Sequence, residues 1–101
     1  MPTIKAGKVE DLPPGDVIEV LCGEQPYAVC NFEGGIYALN GVCIHLGGPL
    51  GQGQLEGGTL TCPYHFWEFD CRTGECLGDP SRRVATYPVR IENGQILIEV
   101  P

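Results

Sequence analysis

Cys43-Ile44-His45-Leu46-Gly47-Gly48 and Thr61-Cys62-Pro63-Tyr64-His65-Phe66-Trp67 decide how this chain is read. Two Cys and two His stand in two short pairs, Cys-x-His and Cys-x-x-His, with sixteen residues between His45 and Cys62. The chain has only two His, and both are here. Soft thiolates and borderline imidazoles on paired loops make a metal site. Cys43, His45, Cys62 and His65 are therefore the candidate ligands.

Two metal groups fit this donor set. One is a tetrahedral structural zinc closed by two Cys and two His. The other is a [2Fe–2S] cluster in which His replaces Cys on one of the two irons. Zinc sites usually pair Cys with Cys and His with His, whereas each pair here is mixed. A mixed pair suits a two-metal cluster, because each loop can send its Cys to one iron and its His to the other. Six of the twelve residues from Gly47 to Gly58 are Gly. Gly allows backbone N–H groups to approach closely, and cluster sulfides need such donors.

The pattern Cys43-x-His45, Cys62-Pro63-x-His65 and Phe69-Asp70-x-x-Thr73-Gly74 resembles the Rieske domain, and within it the small Rieske-type ferredoxins of bacterial oxygenase systems. The resemblance covers most of the chain. It implies that Cys43 and Cys62 bind an inner iron, and that His45 and His65 bind an outer iron at the tip of the molecule. It also implies a layout: two ligand loops on a subdomain of about residues 41–79, carried by a base built from both termini. Rieske proteins of respiratory complexes tie the loops with a disulfide, whose positions here are Gly48 and Tyr64. They also place Ser and Tyr hydroxyls near the sulfurs, where this chain has Trp67 and Phe69. Hydrogen bonds to sulfur raise the potential, so their loss points to the low end of the Rieske range, roughly −150 mV. Phe66 stands where many members have Gly, and is read as an apolar lid beside His65.

Composition bounds the rest. A chain of 101 residues makes one small domain, taken as residues 1–101. No apolar run is long enough to span a bilayer, and the first eight residues lack the apolar core of a signal peptide. The expected location is the cytoplasm. A formal net charge of −7 argues against nucleic-acid binding and suits docking to a basic patch on a redox partner. Cys22, Cys30, Cys71 and Cys76 remain outside the motif and read as free thiols serving as small apolar residues. Cys71 and Cys76 flank a tight turn at Arg72–Glu75 and could face each other across it.

Strands are expected at Thr3–Ala6, Val17–Leu21, Gln25–Phe32 and Ile36–Leu39, with a turn at Glu33–Gly35. Gln54–Glu56 and Thr59–Thr61 flank Gly57-Gly58 as a hairpin that delivers Cys62. At most one 3₁₀ turn fits within Pro49–Gln54. Gly78–Arg83 reads as a polar loop. Tyr87–Glu92 and Gln95–Val100 flank Asn93-Gly94, the strongest hairpin signal in the chain. Asp70, Thr73 and Gly74 read as a turn, Trp67 as packing, and Arg82-Arg83 as solvated. No segment has helical periodicity, so the fold class is all-β: a small antiparallel sandwich or barrel base with a cluster-binding subdomain of two loops.

The resemblance implies a one-electron carrier rather than an enzyme. A flavin-dependent ferredoxin reductase would oxidise NAD(P)H, this chain would take single electrons, and the terminal oxygenase of an aromatic ring-hydroxylating system would receive them. The carrier is expected to be a monomer holding one [2Fe–2S] cluster, with no nucleic-acid or membrane partner. Two other readings stay open on sequence: a small Rieske subunit of a larger redox enzyme such as assimilatory nitrite reductase, and a zinc-stabilised binding module.

Overall fold

The structure, a computed structural model, describes residues 2–44, 47–64 and 66–101. Three antiparallel sheets account for its strands. The first joins β1 (Thr3–Lys8), β12 (Gln95–Glu99) and β11 (Val89–Glu92), in that order. The second orders β10 (Thr86–Tyr87), β4 (Gly35–Asn40), β3 (Gln25–Phe32) and β2 (Val17–Cys22). The third is a run of neighbours: β5 (Gln54–Glu56), β6 (Thr59–Thr61), β7 (Glu68–Asp70), β8 (Glu75–Cys76) and β9 (Asp79–Arg83). One 3₁₀ turn covers Val9–Asp11 and another Leu50–Gln52, the latter inside the stretch that allows only one such turn.

Turn chemistry sets the registers. Glu33 and Gly34 both have positive φ, +50° and +83°, and join β3 to β4 so that Phe32 faces Gly35. Asn93 and Gly94 do the same at +52° and +75°, placing Glu92 opposite Gln95. Two left-handed residues in succession match the twist of the flanking strands. The hairpin at Gly57-Gly58 pairs Glu56 with Thr59 as expected.

The second sheet is buried on both faces. Ala28, Cys30 and Leu39 face one core, which also holds Cys43, Leu50, Leu60, Cys62, Phe69, Cys71, Cys76 and Val84. Tyr27, Val29 and Ala38 face the other, with Ala6, Leu12, Ile96, Ile98 and Val100. Alternation along β3 and β4 therefore feeds two separate cores, which is why β3 reads as a nearly continuous apolar run.

Three expectations are corrected. Asp79–Arg83 is not a loop but the edge strand β9, paired with β8. An edge strand exposed to water is polar, and it tolerates Pro80 because an outward N–H is not needed there. Its turn-like composition comes from Asp79, whose Oδ1 accepts bonds from the Ser81 amide at 3.2 Å and hydroxyl at 2.6 Å. Secondly, Tyr87 does not continue into β11. Thr86–Tyr87 pairs with β4 while Val89–Glu92 pairs with β12, and Pro88 lies at the change of sheet. Thirdly, Cys22 is exposed at the end of β2 and fills no core. Cys30, Cys71 and Cys76 are buried free thiols, as expected. Cys71 does not face Cys76 in the ladder, where Cys76 pairs with Phe69. The Cys71 thiol instead shares a hydrogen bond with that of Cys30 in β3; this hydrogen bond first, and burial next, push the Cys30 thiol far above its ordinary range.

Candidate metal centre

The first candidate loop leaves β4 at Asn40. The Asn40 Oδ1 accepts the Val42 amide at 2.9 Å, and the Gly41 amide donates to the Pro26 carbonyl at 3.0 Å. Val42 and Pro49 bridge the neck of the loop. Inside it, the Cys43 amide donates to the Gly48 carbonyl at 2.8 Å and the Gly47 amide to the Cys43 carbonyl at 2.9 Å. The loop ends on buried Leu50, whose amide donates to the Gly41 carbonyl at 2.9 Å. Gly51 then sits on β2: a β-carbon there would stand 2.6 Å from Glu19 Cα. The Gln52 Nε2 donates to Glu19 Oε1 at 3.1 Å, so the loop is fastened to the second sheet at its base.

The second candidate loop connects β6 to β7. Its ends are joined by the Cys62 amide, which donates to the Trp67 carbonyl at 2.8 Å. The Tyr64 amide turns inward and donates to Cys62 Sγ at 3.4 Å. Phe66 follows with φ at +59°. That left-handed value costs a residue with a β-carbon about 1 kcal/mol or more.

The loops meet at Gly48. A β-carbon on Gly48 would lie 2.6 Å from Cys62 Sγ and 3.1 Å from Tyr64 Cβ. The Tyr64 side chain thus covers Gly48. Cys43 and Cys62 are both buried, at 2% and 0% exposure. Burial pushes the Cys62 thiol up, the Tyr64 amide draws it back, and the Cys43 thiol beside it pushes it up again. Two adjacent buried sulfurs hold thiolate charge badly unless a cation shares them. An amide aimed at sulfur and a glycine leaving that sulfur room are features of a seat for a thiolate-held metal group. The residues present fit an iron–sulfur cluster in that respect. His45, His65 and Leu46 lie outside the described residues.

Around the centre, Trp67 is half-buried against the cysteine-bearing core, which agrees with the packing reading. Arg82 is not simply solvated: its guanidinium lies 5.9 Å from the Trp67 ring centroid and pairs with Asp79 at 3.3 Å. Phe69 is fully buried in the same core as Cys43 and Cys62. Asp70 shapes the turn expected of it, its Oδ1 accepting the Arg72 amide at 2.8 Å, with Gly74 at φ +79°. Sequence reasoning missed the Cys30–Cys71 contact and the backbone strain at Phe66; the Phe at a position often held by Gly was the one signal for the strain.

Residues 3–88 match the Rieske [2Fe-2S] domain family. The chain belongs to this family. The Rieske domain here is similar to the ferredoxin component of the naphthalene 1,2-dioxygenase/salicylate 5-hydroxylase systems of Ralstonia sp., at 37% identity over 96% of this chain and 94% of that one. Among solved structures it resembles a Sphingomonas yanoikuyae B1 ferredoxin, with TM-score 0.88, 28% identity and coverage of 99% of this chain and 100% of that one. It also resembles a chain in a complex of reduced oxygenase and oxidized ferredoxin in carbazole 1,9a-dioxygenase, with TM-score 0.87, 26% identity and coverage of 95% and 91%. Antiparallel all-β architecture is common to the family and to this Rieske domain.

Proposed function

We propose that this Rieske domain is the ferredoxin component of an aromatic ring-hydroxylating dioxygenase system, carrying single electrons and catalysing no reaction itself. The observation that carries the reading is its near full-length similarity to such a component, at 37% identity, together with two buried sulfurs brought to one seat. Cys43, His45, Cys62 and His65 hold one [2Fe–2S] cluster in this reading. Residues 1–101 act as one domain, with the ligand loops on the part from about 41 to 79.

Such a cluster, when bound, takes up and releases one electron. The chain supplies the surroundings. Gly48 and Tyr64 close over Cys62 and keep water from its sulfur. The Tyr64 amide stabilises negative charge on that sulfur. Anchoring of the first loop on Glu19 through Gly51 and Gln52 keeps the seat from rearranging between charge states. A flavin-dependent ferredoxin reductase would supply the electron and a terminal oxygenase would take it, as the oxygenase–ferredoxin complex supports for a relative. The net charge of −7 speeds encounter with basic docking faces. The carrier is read as a cytoplasmic monomer; among the described residues no helix is long and apolar enough to cross a membrane.

Anaerobic purification followed by metal and sulfide analysis tests this directly. About two irons and two labile sulfides per chain are expected, and His45→Cys should lower the potential by adding thiolate charge. One zinc and no labile sulfide would refute the reading.

A further inference from the structure

Phe66 is unfavourable twice over in the isolated chain. Its backbone sits at φ +59°, a region that residues with a β-carbon avoid. That strain does not bury the ring, which is 74% exposed, more than any other large apolar side chain among the described residues. Strain at a non-Gly residue persists where surrounding structure enforces it, and such positions cluster at functional sites. Here the strain holds a phenyl ring out into water.

The setting of the ring is equally specific. Phe66 is the shared wall of two clefts. One is lined by Trp67, Glu68, Asp79 and Arg82; the other by Thr61, Cys62 and Pro63. The ring is therefore a ridge beside the sulfur seat, with recesses on either flank. Ile44 at 40% exposure and Tyr64 at 52% lie on the same two loops, while Leu21 and Ile91 are exposed on β2 and β11. The cleft beside the ring is rimmed by charged groups, Glu68, Asp79 and Arg82, the arrangement of an apolar contact inside a polar rim. Aromatic side chains dominate the anchors of protein interfaces.

We propose that Phe66 is the anchor by which the chain engages the terminal oxygenase, its ring entering an apolar pocket on a basic docking face of that partner. This rests on the carrier reading above, where the oxygenase is the electron acceptor. The acidic surface meets the basic rim, and the ring supplies the apolar contact that fixes orientation. Glycine at position 66 would relax the backbone and abolish the anchor, so stability and affinity should move in opposite senses.

The test uses the cluster-loaded chain with the reductase and terminal oxygenase of a naphthalene 1,2-dioxygenase system. Wild type, Phe66→Gly and Phe66→Leu are compared for visible spectrum, midpoint potential, melting temperature, reduction by the reductase, and KM for the carrier in oxygenase turnover. For Phe66→Gly, the spectrum, potential and reductase step should be unchanged and melting should be no lower. The KM at the oxygenase should rise about tenfold or more. Phe66→Leu, which keeps apolar bulk, should recover most of that loss. An unchanged KM for Phe66→Gly overturns the proposal. So does a rise that comes with a shifted potential, an equal loss at the reductase, or a Leu variant as weak as the Gly variant. Wild type that is reduced but delivers nothing to the oxygenase overturns the carrier reading and this one together, whereas normal delivery by Phe66→Gly overturns this one alone.

Discussion

Gly48 lies against Cys62 so closely that a β-carbon on the glycine would stand 2.6 Å from the sulfur. Its backbone is not in the left-handed region, so alanine is excluded by contact and not by conformation. Gly48→Ala should displace Tyr64 or Cys62, destabilise the protein by about 1–3 kcal/mol, and lower iron retained per chain. Thermal melting and iron analysis check both effects.

The fastening of the first loop to β2 makes a second prediction. Gly51→Ala would place a methyl group 2.6 Å from Glu19 Cα and Cβ, where backbone must move. A loss of about 1–3 kcal/mol is expected. Gln52→Ala removes only an exposed bond to Glu19 and should cost well under about 1 kcal/mol. Chemical denaturation of the two variants separates the packed contact from the polar one.

Among six cysteines, only two should be needed for iron. Cys30 is a buried free thiol, hydrogen-bonded to that of Cys71 and held far above the range in which a thiol ionises at neutral pH. Cys30→Ala should keep full iron and sulfide while losing about 1 kcal/mol of stability. Cys43→Ala and Cys62→Ala should lose the cluster. Equal iron in all three variants would remove Cys43 and Cys62 from the ligand set.

The potential should sit low. Trp67 and Phe69 bring no hydroxyl, and among the described residues the Tyr64 amide donates to Cys62 Sγ at 3.4 Å. A midpoint near roughly −150 mV is expected. Phe69 is fully buried in the core that holds both candidate sulfurs, so a hydroxyl placed there is added to that same core. Phe69→Tyr should raise the midpoint in protein-film voltammetry, at some loss of stability if the new hydroxyl goes unpaired. An unchanged midpoint would mean that the ring edge points away from the sulfurs.

Legibility in the sequence followed locality. Glu33-Gly34 and Asn93-Gly94 announce their hairpins because their residue types tolerate the positive φ that the turns impose. The strands from Gln25 to Phe32 and around Gly57-Gly58 were readable for the same reason. Asp79–Arg83 was not, since an edge strand in water has the composition of a loop. Nor does anything near Tyr87 show that its partner is Ala38 in another sheet. At the candidate centre, spacing singled out Cys43 and Cys62, which the fold brings together, while His45 and His65 lie outside the described residues. That Cys71 meets Cys30, and not Cys76, depends on a residue forty-one positions earlier, which no local pattern encodes.

The two-faced sheet has a consequence for how the molecule comes apart. One face of β3 looks toward the sulfurs and the other toward the strands of the two termini. Stripping the iron removes support from the first side only. The terminal strands β1, β11 and β12 draw on the second side and need not melt with it. Iron loss should therefore yield a half-ordered chain and not a coil: amide exchange would quicken first from β5 to β9, while Tyr27, Val29 and their neighbours in β12 stay protected longest. In a cell, such a chain keeps a folded platform on which a seat could be refilled.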